Sequence, residues 1–209
     1  LKGADVKVYE RDFDANARVQ GAPVDLHDDS GLAAIRKAEL LEEFKQNFLP
    51  GADKKLIMND QAEIFFSDHE TKVEENFGYE HFRPEIDRGT LRQILLESLQ
   101  PETVVWNSHF VSMEKENKGW RLHFKNGSST YADIVIASDG ANSKIRPYIT
   151  DIKAFYSGVT MLEGNIYNAK ETAPNINTLL KGGKIMAFGN KKNLLMGQKG
   201  NGDIGFYAS

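Results

Sequence analysis

Residues 134–146 constrain the fold of this chain more than any other segment. A β-branched apolar run, Ile134-Val-Ile-Ala, ends at Asp139-Gly140 and is followed by a short segment that carries two cations. Such a run predicts a buried strand that delivers an acidic turn to the edge of a sheet. In open α/β sheets, ligands bind beyond the carboxyl ends of the strands.

A second run of the same form lies near the start of the chain. Val6-Lys-Val-Tyr ends at Glu10, and Arg11 follows directly. Two strands that end in carboxylates predict a nucleotide cofactor whose ribose hydroxyls these acids hold. In the alternative interpretation, Glu10 and Arg11 form a solvated pair at a strand end.

Composition excludes several classes of function. A net charge of −4 over 209 residues gives no strong attraction to nucleic acid or to an anionic membrane. No apolar run is long enough to span a bilayer. Cysteine is absent, which excludes disulfides and thiolate metal sites and fits a reducing cytoplasm. The five histidines show no zinc-ligand spacing, so no metal site is predicted, and we expect a monomer that acts on a small organic molecule.

The hydrophobic patterns predict an α/β fold in two parts. Residues 1–152 are expected to form a partial Rossmann-like domain, and residues 153–209 part of an antiparallel sheet. Apolar stripes predict helices over 32–48, capped by Ser30, and over 90–99, capped by Asp87. Hairpins are predicted over 55–66 and over 110–125, the second continuing through the Asn126-Gly127 turn.

The first residues predict that the chain is truncated. Gly3 suits the position just past a helix, and a strand begins directly after it. In a dinucleotide-binding βαβ unit, a glycine-rich turn precedes that helix, and an acid follows about 20 residues after the turn. We therefore expect that turn upstream of residue 1, and the last strand, which has no terminal signal, suggests truncation there too.

Two further groups are candidates for cofactor binding. Arg18, Gly21 and Asp25 lie in an irregular segment where glycine permits close backbone approach, although an ordinary connecting loop has the same composition. Arg88 precedes the second helix, beside backbone amides that suit a pyrophosphate, or it pairs with Asp87 or Glu85.

No pattern of nucleophile, base and acid is present, so no catalytic side chain is predicted. If the protein is an enzyme, a bound cofactor is expected to carry the reactive chemistry. This expectation agrees with the acidic strand ends.

At these residues the chain resembles the class A flavoprotein monooxygenases, and within them the tetracycline-inactivating enzymes. The resemblance covers residues 1 to about 150 and is looser beyond. It is carried by Val6–Asp12, Ala17-Arg18, Gly21–His27, Ile86–Leu96, Thr103–Trp106 and the Asp139-Gly140 segment. It implies an oxidoreductase with FAD in a Rossmann-like domain and NADPH as reductant, which hydroxylates an organic substrate and could inactivate an antibiotic.

The resemblance also implies roles for individual residues. Glu10 and Arg11 would bind the adenosine part of FAD, Asp25 and Arg88 other parts of FAD, and Arg18 would assist NADPH. Asp139 and Gly140 would form the Asp-Gly motif of the family. Glu163 and Lys184 fall where substrate contacts are expected.

The sequence departs from the family pattern at three places. Neither the Gly-x-Gly-x-x-Gly turn nor the later Gly-Asp motif is present, and residues 187–192 lack the histidine that the tetracycline-modifying members place in the substrate pocket. Two alternatives therefore stay open beside a monooxygenase. One is a non-catalytic binding module of the same fold, and the other is a different FAD oxidoreductase, an oxidase or a reductase.

Overall fold

The computed structural model describes residues 3–17, 21–71 and 75–209. Packing divides the chain into two compact units, described here separately. Unit 1 is formed from residues 1–19 and 99–158, and unit 2 from residues 20–98 and 159–209. Helices and strands occur in both sequence halves, which confirms the predicted α/β class. These units combine early and late residues because residues 55–59 pair with residues 184–188. The domain boundary at residue 152 stays a prediction.

Unit 1 contains two small sheets. Strands β1 (Val8–Tyr9) and β6 (Val104–Val105) pair in parallel. The second sheet is an antiparallel meander of β7, β8 and β9, which cover Phe110–Glu116, Gly119–Phe124 and Ser129–Ala132. This confirms the predicted hairpin and its turn. Tyr9 stacks on Phe124 with ring centroids 4.8 Å apart, so the meander packs against the end of β1.

The prediction of a buried strand over residues 133–137 is wrong. The meander ends at Ala132, and residues 133–137, all of which the structure describes, form no strand. Ile134 is 81% exposed and Ile136 is 85% exposed. The sequence pattern supplies apolar side chains but not a partner for the backbone, and no described strand pairs with this segment. Within residues 133–137, Val135 is the residue that packs against the core of unit 1.

Unit 2 is built on a six-stranded mixed sheet. Its strands are β3 (Lys55–Asn59), β4 (Ile64–Ser67), β10 (Leu162–Ile166), β11 (Lys184–Gly189), β12 (Lys192–Gln198) and β13 (Ile204–Ala208). They lie in the order β10-β13-β12-β11-β3-β4. The late strands pair antiparallel, as predicted, and β11 then pairs in parallel with β3. The predicted hairpin over 55–66 is also confirmed.

Five helices and a two-stranded ladder complete unit 2. The ladder joins β2 (Val24–Asp25) to β5 (Glu85–Ile86). The helices are α1 (Gly31–Lys37), α2 (Leu41–Asn47), α3 (Arg88–Glu97), α4 (Ala169–Thr172) and α5 (Pro174–Leu180). The pair α4–α5 was not predicted; α5 begins at Pro174, which is compatible with the first turn of a helix.

The single helix predicted over 32–48 is two helices. Glu39 has φ +62, a left-handed conformation that ends α1, and the N–H of Leu40 donates to Ile35 O at 3.1 Å. Both helices nevertheless bury the predicted stripe, with Leu32, Ile35 and Phe44 in one core cluster. The spacing of buried apolar residues continues across the break between the two helices, because Leu40, which lies at the break, is also buried.

Ser30 and Asp87 occupy the N-cap positions of α1 and α3, as predicted. Neither side chain makes a capping hydrogen bond to the first turn of its helix. Asp87 Oδ2 instead accepts the N–H of Gly200 at 2.9 Å. A side chain on Gly200 would collide with this carboxylate, since an added Cβ would lie 2.6 Å from Asp87 Oδ2. Asp87 therefore fastens the start of α3 to the turn after β12.

Within the described ranges, no helix is both long and apolar enough to cross a bilayer. The same ranges contain no group of three His, Asp or Glu side chains placed to hold a metal ion.

Replacing Phe44 tests the core of the helical layer. The Phe44 side chain is fully buried, with its ring 6.2 Å from that of Phe77. Phe44→Ala should lower the free energy of unfolding by about 3–5 kcal/mol, because it removes apolar contacts and leaves a cavity. The control Phe65→Ala changes a side chain that is 68% exposed, so a shift below about 0.5 kcal/mol is expected. Urea denaturation followed by circular dichroism measures both, and equal effects would contradict this core.

Candidate functional site

The carboxyl end of β1 fixes Glu10 in unit 1. The N–H of Glu10 donates to Val105 O at 3.0 Å, and the N–H of Ser108 donates to Glu10 O at 2.8 Å. Glu10 Oε1 accepts the N–H of Asp12 at 3.0 Å. The neighbouring Arg11 is exposed. The backbone of Glu10 is thus held by the parallel ladder, and its carboxylate lies at the strand end, as the sequence predicted.

The Asp139-Gly140 turn is held by the carboxylate of Asp139. Its Oδ2 accepts the N–H of Lys144 at 2.8 Å and that of Ile145 at 3.4 Å. Desolvation raises the pKa of Asp139, but hydrogen bonds from Ser143 and from the backbone of Lys144 and Ile145 outweigh this effect. The pKa of Asp139 therefore lies below its ordinary value. Gly140 has φ +83, which favours glycine at this exposed position.

Glu10 and Asp139 each lie next to a residue of one core cluster in unit 1. Ile145, whose N–H contacts Asp139, is buried in that cluster, and both Tyr9 and Val135 pack against it. Tyr9 directly precedes Glu10. Unit 1 therefore brings the two predicted acidic groups to the same small core, although the strand expected to deliver Asp139 is absent.

In unit 2, Arg88 lies at the start of α3 beside the backbone of residues 21 and 22. Arg88 Nε donates to Ala22 O at 2.9 Å. An added Cβ on Gly21 would lie 3.2 Å from Glu163 Oε1 and 3.6 Å from the Tyr207 hydroxyl. Gly21 therefore allows this segment to lie directly against the sheet, and its role beside a cofactor stays a prediction. Arg18 lies outside the described residues.

The strand register divides the large sheet into two faces. Alternate side chains along a strand point to opposite faces. One face bears Ile185, Ile204 and Leu56, which pack with Leu180 of α5 and Ala169 of α4. We call the other the polar face. Two of its rows run across neighbouring strands. One consists of Glu163, Tyr207, Leu195, Met186 and Ile57, and the next of Asn165, Gly205, Gly197, Lys184 and Lys55.

Hydrogen bonds on the polar face link side chains of adjacent strands. The Tyr207 hydroxyl donates to Glu163 Oε1 at 3.3 Å. Lys199 Nζ donates to Asn165 Oδ1 at 2.7 Å. An added Cβ on Gly205 would lie 3.2 Å from Lys199 Cε and 3.6 Å from Ala22 Cβ, so the lysine stem lies close to Ala22. The face thus combines hydrogen-bonding groups with the apolar side chains of Leu195, Met186 and Ile57, as sites for small organic molecules do.

Lys184 forms an ion pair with Glu85 on this side of the sheet. Glu85 is only 4% exposed, whereas the Lys184 side chain is 34% exposed. The ladder between β2 and β5 sets Glu85 opposite Asp25. Desolvation lowers the pKa of Lys184, and the carboxylate of Asp25 opposes that change.

Glu85 is a charged residue to which the sequence analysis assigns no role beyond a possible pairing with Arg88. The feature that could have drawn attention to it is its position between Pro84 and Ile86, because a carboxylate between two residues that are buried needs a partner. A buried charge requires a partner of opposite sign, and Lys184 supplies it. Asp25, predicted to bind FAD, lies on β2 with its Oδ2 3.1 Å from His27 Nε2.

Each unit thus gathers its own share of the predicted residues. Unit 1 contains Glu10, Arg11, Asp139 and Gly140, and unit 2 contains Asp25, Arg88, Glu163 and Lys184. Their assigned roles stay predictions.

The chain is similar to curated fungal monooxygenases. It is 28% identical over 207 residues to monooxygenase asqM of Emericella nidulans, a match covering 91% of this chain and 45% of that protein. It is 25% identical over 181 residues to monooxygenase penA of Penicillium thymicola, covering 82% of this chain and 40% of the relative. The chain therefore spans less than half the length of these relatives. No family model matches the chain.

Solved flavoenzyme structures share the fold. Klebsiella pneumoniae HpxO, complexed with FAD and uric acid, has a TM-score of 0.71 at 18% identity, covering 98% of this chain and 49% of that one. The 2,6-dihydroxypyridine-3-hydroxylase of Arthrobacter nicotinovorans has a TM-score of 0.74 at 17% identity, covering 99% and 50%. Tetracycline destructase Tet(51) has a TM-score of 0.63 at 18% identity, with the same coverage. The predicted class A flavin monooxygenase-like fold is confirmed.

Removing Lys184 tests the buried ion pair. Lys184→Met leaves the Glu85 carboxylate buried without its partner, so the free energy of unfolding should fall by about 3 kcal/mol. This value is at the lower end of the loss expected when one partner of a buried ion pair is removed, because the Lys184 side chain is partly exposed to solvent. Adding Glu85→Gln should restore part of the loss. Lys181→Met, which removes an exposed ion pair with Glu70, should change little. Urea denaturation measures all four proteins, and no difference between Lys184→Met and the parent would contradict a buried pair.

The lowered pKa of Asp139 predicts how the stability of the protein depends on pH. Because the folded-state pKa is lowered, Asp139 contributes stability above its unfolded-state pKa of about 3.9 and loses it as pH falls through the folded-state value. The stability difference between the parent and Asp139→Ala should therefore be full at neutral pH and shrink in acid. Denaturation midpoints across this pH range measure it, with the exposed Asp5→Ala as control. A difference that grows in acid would contradict the assignment.

Proposed function

We propose that the protein to which this chain belongs is an FAD-dependent monooxygenase that uses NADPH and hydroxylates a small organic substrate. The observation that carries the proposal is the fixed carboxylate of Glu10 at the end of β1, within a fold shared over 98% of the chain with an FAD-bound enzyme. A carboxylate at such a strand end accepts hydrogen bonds from ribose hydroxyls. The similar monooxygenases support the reaction class.

The described residues fit FAD in chemistry and in exposure. In unit 1, Glu10 would accept ribose hydroxyls, the exposed guanidinium of Arg11 would contact the adenosine part, and Gly140 leaves room beside the Asp139 turn, since an added Cβ there meets nothing within 4 Å. In unit 2, Arg88 and Asp25 would contact other polar parts of FAD. Arg18 would assist NADPH.

Bound FAD, once reduced, would supply the oxygen chemistry that protein side chains do not. The residues of the chain would bind and orient. Glu163 and Tyr207 would accept and donate hydrogen bonds to a substrate on the polar face, and Met186 and Leu195 would contact its apolar part. Tetracycline is one substrate to test, because Tet(51) shares the fold. We place the reaction in the cytoplasm and expect a monomer.

The test of this function begins with the complete protein. It should carry a flavin absorption band, oxidise NADPH and transfer an atom of isotope-labelled dioxygen into a product. A protein that takes up no FAD contradicts the proposal, and one that reduces oxygen without labelling any product is an oxidase instead.

Glu10→Ala tests the role of the strand-end carboxylate. Loss of charge-assisted hydrogen bonds to the ribose should weaken FAD binding by about tenfold or more. Glu75→Ala removes an exposed carboxylate and is the matched control. Titration of the apoprotein with FAD, followed by flavin fluorescence, gives both affinities. Unchanged affinity in Glu10→Ala would contradict this assignment.

A further inference from the structure

The backbone of Glu85 is held from two sides. The ladder between β2 and β5 pairs Glu85 with Asp25, and the N–H of Leu49 donates to Glu85 O at 2.7 Å. The residue is buried, and a buried carboxylate is costly unless a cation stays beside it. Lys184 supplies that cation. Because Glu85 is fixed, it also fixes where the ammonium of Lys184 lies.

Lys184 is held at its backbone as well, but its side chain remains accessible. Its N–H donates to Lys54 O at 2.8 Å, and β11 lies between β12 and β3 in the sheet. The side chain is partly exposed. An ammonium has three N–H donors, so the contact with Glu85 leaves donors for a ligand. The ion pair thus places a hydrogen-bond donor on the polar face before any ligand binds.

The space beside Lys184 is open because a glycine lies opposite it. Gly197 is the β12 partner of Lys184. Among the described residues, apart from its chain neighbours, an added Cβ on Gly197 would meet one atom within 4 Å, which is Lys184 Cγ at 4.0 Å. At the neighbouring Gly205, Lys199 Cε and Ala22 Cβ would lie 3.2 and 3.6 Å from such a Cβ. Gly197 is half-buried, so the opening above it is in contact with solvent.

The rest of this row also offers hydrogen-bond donors. Lys55 is the β3 partner of Lys184 and is exposed. Lys199 Nζ donates to the neutral amide oxygen of Asn165, so it keeps its charge and has further N–H groups. Ammonium groups donate hydrogen bonds and accept none. The opening over Gly197 therefore suits a ligand oxygen that accepts hydrogen bonds.

We propose that Glu85 is a positioning residue and Gly197 a specificity-determining residue of the polar face. Glu85 holds the ammonium of Lys184 so that it donates to an oxygen acceptor of the substrate, such as a carbonyl, which lies in the opening over Gly197. A hydrogen bond from a charged donor is stronger than one between neutral groups. The inference rests on the proposed function and deepens it, because it states which substrate group this row recognises.

Acetophenone and ethylbenzene, which are similar in size and differ in one carbonyl oxygen, test the proposal. Calorimetric titration of the FAD-loaded complete protein gives the affinity for each probe. A purely apolar site would bind ethylbenzene more tightly, because removing a carbonyl group from water is costly when nothing donates to it. We expect acetophenone to bind at least as tightly as ethylbenzene. Weaker binding of acetophenone, or no binding of either probe, would overturn the proposal.

Gly197→Val tests the opening and leaves the backbone unstrained. The φ of Gly197 lies outside the left-handed region, and a strand accommodates a β-branched residue. The added methyl groups should fill the opening and lower the affinity for acetophenone at least tenfold. Circular dichroism checks that the variant is folded. A folded Gly197→Val protein that binds acetophenone as the parent does would overturn the assignment of this subsite.

Glu85→Gln tests the positioning role. Without the carboxylate, the ammonium of Lys184 is held less firmly, so the affinity for acetophenone should fall by about tenfold. The affinity for ethylbenzene, which accepts no hydrogen bond, should stay within about twofold. Glu85→Asp keeps the charge and should recover part of the loss. If Glu85 only supported the fold, both probes would bind more weakly together, and that result would overturn the positioning role.

A control variant and a second readout keep these outcomes distinct. Glu171→Gln removes an exposed charge from α4, which packs on the other face of the sheet, and should leave both affinities unchanged. If Glu85→Gln does not fold, Gly197→Val still decides the proposal. FAD uptake and labelled oxygen are measured separately, so a protein that binds FAD and hydroxylates a substrate but binds acetophenone more weakly than ethylbenzene refutes this subsite alone.

Discussion

The parallel pairing of β11 with β3 is the constraint on which unit 2 depends. It joins two segments far apart in sequence, Lys55–Asn59 and Lys184–Gly189, in a fixed register. A slip by one residue would move every side chain of a strand to the opposite face. Ile185 would then leave the core, and Lys184 would lose its place beside Glu85. The hydrophobic face packed by α4 and α5 thus also fixes the positions of the polar residues on the other side.

The sequence predicted best where local pattern and tertiary structure agree. Both hairpins and the antiparallel strands were found because apolar alternation and turn residues are local signals. The strand predicted over 133–137 was wrong because β-branched residues indicate a strand but do not show whether another strand pairs with it. The break between α1 and α2 was not predicted because the left-handed residue Glu39 leaves the periodicity of the buried positions unchanged.

The candidate site shows the same division. Glu10 and Asp139 could be chosen as candidates because each comes at the end of an apolar run. Glu85 was not, because its role comes from Lys184, a partner far away in sequence and supplied by another strand. The hydrogen bond from Tyr207 to Glu163 also depends on register between two strands that no local signal aligns. Which charged side chains are paired on this face is therefore a property of the assembled sheet.

The hydrogen bond between Gly200 and Asp87 makes the first turn of α3 and the end of β12 one mechanical part. Arg88 is the next residue after Asp87, and Lys199 is the residue before Gly200. Two backbone steps and one hydrogen bond therefore connect Arg88 to Lys199, which donates to Asn165. The same contact thus sets the positions of two cations that the sequence keeps more than a hundred residues apart.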